Sequence, residues 1–161
     1  MSDPKEELVV APFTAFNFAV EIDIPGVGPK ACEAAFAECD GLEMTMDVKT
    51  IREGGNNARQ IRLAGALSYG QLTLKRGMTA NDDLWFWFEL MQTRPRMRAS
   101  AQVVVFAPDR ERTERARFVL SRCLPVKLKA PPLNAKDGMV AIEELQLAYE
   151  SLTRKPVSGG A

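Results

Sequence analysis

The sequence predicts a mainly β protein, an antiparallel β-barrel or sandwich with one flanking α-helix. Strict alternation of apolar and polar residues recurs along the chain, as in strands that bury one face. A single segment near the middle joins a helix-entry signal to apolar residues at helical spacing. The resulting order of strands, one helix, then strands packs as one sheet system, mostly antiparallel and closed or nearly closed. The length of 161 residues suits one domain, with its core at about 13–152 between flexible termini 1–12 and 153–161.

The first strand is read from "FNFAVEIDI" (16–24), where Phe16, Phe18, Val20, Ile22 and Ile24 share a face. "PGVGPK" (25–30) is a turn by composition. Alternation returns at Leu42, with Met44, Met46 and Val48 opposed to Glu43, Thr45, Asp47 and Lys49. Asp40-Gly41 interrupts the approach to it, as a bulge or sharp bend does. "EGGNN" (53–57) has the composition of a loop tip. Leu72 and Leu74 then face inward from a short return strand.

Thr79 and Asp82 match the S/T-x-x-D/E pattern of a helix start, and Asp82 and Asp83 sit where the helix dipole favours anions. Leu84, Trp87, Phe88 and Met91 form one helical face, and Pro95 stops the run. Trp85, Phe86 and Leu90 cover much of the remaining circumference, more than the single apolar stripe of a surface helix. Such a helix needs cover from the rest of the domain or from a neighbouring subunit. Residues 100–106 and 116–128 read as a hairpin around the charged turn "PDRERTER". The last element, 139–152, is ambiguous: its propensities favour helix. Its alternation fits a strand whose phase shifts at Glu143-Glu144.

Composition removes several functions. Histidine is absent, which takes away the commonest general base and metal ligand. The cysteines, Cys32, Cys39 and Cys123, match no zinc spacing and read as free thiols. The glycines at 54 and 55 lead into no helix and no Gly-Lys-Ser/Thr, so no phosphate loop is present. "ALSYG" (66–70) imitates a nucleophile elbow, but Ser68 has no histidine to activate it and reads as a turn residue. Asp82-Asp83 and Glu143-Glu144 point their carboxylates apart and read as helix capping and an exposed bulge. Arg94, Arg96 and Arg98 would form a basic row on an extended chain, but no aromatic residues interleave for base stacking. No catalytic residue, metal or cofactor is therefore expected.

Net charge is zero but unevenly spread. Residues 1–60 carry five basic and eleven acidic side chains, residues 61–130 thirteen and six, and residues 131–161 three and four. The acidic part of one copy could face the basic part of the next. No apolar run approaches the roughly 18 residues of a membrane span. The acidic start, "MSDPKEELVV", lacks the pattern of a signal peptide, so cytoplasmic assembly is expected.

Several blocks together carry a resemblance: "FNFAVEID", "FAECDGLEMTMDVKTIREGGNN", "GALSYGQLTLKRGMTANDDLWFWF" and "LPVKLKAPPLNAKDGMVAIEELQLAYESL". In combination they resemble the tail tube proteins of contractile phage tails and contractile injection systems. The resemblance spans about 13–152. It implies a tail-tube-like fold with a strand as the last element. It also implies a structural, non-enzymatic subunit whose hexameric rings stack into a hollow conduit, either as a tube subunit or as a tube initiator. Implied partners are the chain itself, sheath subunits, baseplate or spike proteins, and a payload in the lumen. The chain would end as part of a phage or phage-tail-like particle. Glu53, Gly54, Gly55, Asn56 and Asn57 would project as an arm to a neighbouring subunit or ring, and Trp85 and Phe86 would be covered by a neighbour. The alternative is a monomeric β-barrel module that binds a small ligand or nucleic acid.

Overall fold

A computed structural model describes residues 17–28, 36–55, 59–136 and 138–157. Its elements are Phe18–Asp23 (β1), Phe36–Asp40 (β2), Met44–Arg52 (β3), Gln60–Tyr69 (β4) and Gln71–Gly77 (β5), then Asp83–Thr93 (α1). Ala99–Phe106 (β6), Glu114–Lys129 (β7), Ile142–Ala148 (β8) and Ser151–Lys155 (β9) follow. Phe16 of the first predicted strand lies outside the described residues.

The alternation of β1 works as expected, with Val20, Ile22 and Ile24 buried. They meet Leu72 and Leu74 of β5, Leu120 of β7, and Leu145 and Leu147 of β8 in one core. The strands run in the order β1-β6-β7-β8-β5-β2, with β9 also on β7, and every pairing is antiparallel. β7 is shared by two halves. Its first part pairs with β6 and β9, and Leu124–Lys129 pairs with β8. The change falls at Arg122, whose φ of 53° lies in the left-handed region and marks a bulge. β8 and β9 turn the same corner at Tyr149-Glu150, and Glu150 forms an ion pair with Arg122 there.

α1 closes the core with Leu84 and Trp87, both fully buried, while Phe88 and Met91 pack beside them. Its entry differs from expectation. Thr79 is not the N-cap: its Oγ1 accepts the Asn81 N–H (3.3 Å), and Asn81 Oδ1 accepts the Asp83 N–H (2.8 Å). This linked turn delays the helix to Asp83, and Asp82 makes no side-chain cap bond.

Three further expectations are corrected. The strand reading of 139–152 holds over helix propensity, but the phase shift at Glu143-Glu144 does not occur. Glu143 points inward in step with Leu145 and Leu147, only 3% exposed, and pairs with Arg76, 1% exposed. These residues stand directly opposite in the β5–β8 register. Ser68 lies within β4, where its Oγ donates to the Thr45 carbonyl (3.3 Å), and is not in a turn. Arg94, Arg96 and Arg98 form no extended row. The Met97 N–H closes a turn onto the Arg94 carbonyl (3.0 Å), and Arg98 Nη1 donates to the Pro95 carbonyl (2.9 Å).

Cys39 is half-buried and Cys123 buried, both as free thiols, and Cys32 lies outside the described residues. Burial, with help from Asp40, pushes the Cys39 thiol up to about 11, and burial pushes Cys123 up to about 12. Alkylation of the native chain at about pH 8 will leave both thiols largely unmodified, because little thiolate forms. Mass spectrometry of labelled peptides checks this, and fast native labelling at Cys123 would contradict its burial.

Candidate functional site

β3 and β4 form a separate two-stranded ribbon, Met44 to Tyr69. Every residue of β3 is exposed, and so are all residues of β4 except the half-buried Gly65 and Tyr69. The expected alternation is therefore present without a core to receive it. Met44, Met46, Val48, Ile51, Ile61, Leu63 and Leu67 stand 36% to 59% exposed. An isolated ribbon of this kind is marginal in water, and a soluble surface rarely gathers so many apolar side chains without a partner.

The base of the ribbon is firmly held. Tyr149 Oη donates to the Gly41 carbonyl (2.7 Å) and accepts the Glu43 N–H (3.1 Å). The Tyr69 and Tyr149 rings lie 5.7 Å apart, and the Gly70 N–H reaches the Glu43 carbonyl (3.3 Å). Burial pushes the Tyr149 phenol up, which keeps it protonated and able to donate. Gly41 has φ of 100°, and a Cβ there would stand 1.9 Å from the Gln71 carbonyl oxygen. The corner between β2 and β3 thus requires glycine.

At the far end, Glu53, Gly54 and Gly55 are exposed at the turn, and Gly55 has φ of 97°. Asn56 and Asn57 lie outside the described residues. Trp85 and Phe86 are on α1, 37% and 45% exposed, facing away from the core that receives Leu84 and Trp87. A second apolar surface lies in the connection from β7 to β8. Leu133, Met139 and Val140 are 79% to 88% exposed there, around a concavity of about 750 Å³. A smaller groove of about 310 Å³ is lined by Phe18, Cys39, Leu42, Val105, Phe118 and Arg154.

Sequence reasoning found the tip and the helix but missed the ribbon's exposed faces and the Tyr149 anchor. Apolar alternation looks the same whether the body of the protein or a neighbour covers it. The position of Tyr149 opposite Gly41 is a long-range contact with no local signal.

The matched family model is that of the T4-like virus tail tube protein gp19, aligned over residues 14–153. No curated protein matches the sequence. Among solved structures, a chain of the anti-feeding prophage baseplate is similar at 26% identity and a TM-score of 0.78, covering 91% of this chain and 97% of that one. A chain of an extracellular contractile injection system, in the sheath-tube complex of its extended state, shares the fold at 18% identity and a TM-score of 0.75, covering 92% and 95%. The tube-terminating cap of the anti-feeding prophage shares it at 16% identity and a TM-score of 0.76, covering 98% and 100%. The family model aligns from just before β1 to the middle of β9, so it takes in both halves of the body, the helix and the ribbon: the chain belongs to the T4-like tail tube protein family.

Proposed function

We propose that copies of this chain close into hexameric rings, and that the rings stack into the inner tube of a contractile tail or injection system. The role is structural, as a tube subunit or initiating ring, with no catalysis. The ribbon carries this reading: it is a two-stranded sheet with both faces exposed and apolar residues on each. A ring of identical heterologous contacts supplies cover to every copy equally. The tip (Glu53–Asn57) and the exposed Trp85 and Phe86 are the neighbour contacts in this reading. Sheath subunits would surround the tube, baseplate or spike proteins would end it, and the payload would occupy its lumen. Assembly would take place in the cytoplasm. Among the described residues, no helix is long and apolar enough to cross a membrane.

The purified chain is expected to elute as a ring or larger species and to show six-fold rings or tubes in negative stain. A compact monomer at high concentration would count against the reading. It would favour a ligand-binding module instead, for which the groove beside Phe118 and Arg154 is the available site.

A further inference from the structure

The apolar residues of the ribbon do not share one face. Residues directly opposite in an antiparallel pair lie on the same side. Met44 faces Tyr69, Met46 faces Leu67 and Val48 faces Ala64, so one face is apolar near the base. Lys49 faces Leu63 and Ile51 faces Ile61, so the other face is apolar near the tip. The remaining quarters are polar: Thr45, Ser68 and Asp47 at the base, and Thr50, Arg62, Arg52 and Gln60 at the tip.

A single bulge creates this exchange. Between Met46 and Val48 the register shifts, so that Gly65 and Ala66 together oppose Asp47. A Cβ at Gly65 would stand 2.7 Å from the Asp47 carbonyl oxygen, so glycine is needed there. Threaded as a regular strand, Ile61, Leu63 and Leu67 of β4 are separated by even intervals and would share one face; the bulge turns Ile61 and Leu63 over. β3 changes phase at the same place, from Met44, Met46 and Val48 to Ile51. Both strands thus agree on where the apolar side changes over.

Given the tube reading above, on which this rests, we propose that each ribbon is held between two other copies of the chain. The base patch (Met44, Met46, Val48, Leu67) seats a neighbour in the same ring, and the tip patch (Ile51, Ile61, Leu63) seats a copy in the adjacent ring. The base adjoins the body, so whatever covers it stands beside the body as well. The nine residues of β3 extend roughly 30 Å, against a radius of gyration of about 15 Å for a chain of this length. The tip therefore stands well clear of the body, within reach of a copy other than the one at the base.

The occupant of the tip patch follows from its size. Half of one face of a two-stranded ribbon offers roughly 150 Å², far below the ~800 Å² per partner of a stable interface. A free partner would not stay on so small a patch. A copy already held close by the other contacts of the assembly would. The tip's polar face adds Arg52 and Arg62, opposite in sign to acidic surface that every copy carries at Glu21 and Asp23 of β1.

Two double variants of the full chain test the division. Met46→Lys with Leu67→Lys charges the base patch and should leave monomers. Ile51→Lys with Leu63→Lys charges the tip patch and should leave single rings with a loss of stacked tubes of more than about tenfold. Thr45→Lys, on the polar quarter at the base, should assemble as wild type. Light scattering and negative-stain imaging count the species, and circular dichroism verifies folding of each variant. Arrest of both double variants at the same species, or normal tubes from either, overturns the two-copy division while the tube reading stands. A wild-type chain that forms no ring overturns the tube reading and this inference with it.

Discussion

Glu143→Leu is expected to lower stability by about 3–5 kcal/mol, because it strands a buried guanidinium. Arg76 is fully enclosed; besides Glu143 it has the Asn81 carbonyl, 3.3 Å from Nη2, and the Phe36 ring, 5.8 Å from Cζ. Its Nη1 has no partner among the described residues, so the carboxylate is the principal compensation for the charge. Desolvation dominates once that partner is gone. For a domain of this size each kcal/mol moves the melting temperature by about 2–4 °C, which puts the loss at roughly 6–20 °C. The double variant Arg76→Met with Glu143→Leu removes both charges and should recover most of it. Thermal melts of the single and double variants decide the matter. A single variant no less stable than the double would show that water reaches the pair.

Gly41→Ala should be comparably severe and act on a different part of the molecule. The left-handed backbone strains any other residue by about 1–3 kcal/mol. The added methyl group would also overlap the Gln71 carbonyl oxygen at 1.9 Å. Either the corner or β5 has to shift, and the corner carries β3. Tyr149→Phe is the milder companion. It keeps the ring beside Tyr69 and removes the hydroxyl that bridges Gly41 and Glu43, a loss of about 1–3 kcal/mol for the groups left unpaired. The variant should stay folded, while the Glu43 amide exchanges with solvent faster than in the wild type. Ring and tube yield should fall in both, more in Gly41→Ala. A Gly41→Ala chain that melts and assembles like wild type would refute the anchoring role of this corner.

Local pattern made much of the fold legible. Val20, Ile22 and Ile24 announced their burial by period, and Leu84 and Trp87 announced theirs by helical spacing. What escaped was the set of positions where the inward residue is charged. Glu143 occupies a core position, so the alternation of β8 looked broken at a place where it is continuous. Its partner Arg76 lies 67 residues away in sequence, beyond any window of periodicity. The helix entry failed for a related reason: Thr79 and Asp82 fit a capping motif, but Asn81 took the amide first. The candidate site was legible as a place. Glu53–Gly55 does form the exposed turn of the ribbon, and Trp85 and Phe86 do face outward. The change of apolar face at Gly65 needed the pairing register, which sequence alternation alone cannot supply.

The passage of β7 through both halves of the body has a mechanical meaning. Its 16 residues run without a break from pairing with β6 and β9 to pairing with β8. A load on one half reaches the other along covalent bonds as well as through the shared core. Parting the halves would shear strand ladders end to end, where the hydrogen bonds share the force, instead of unzipping them one by one. A subunit built this way yields as a unit or not at all, and a wall made of such subunits has no half-open member.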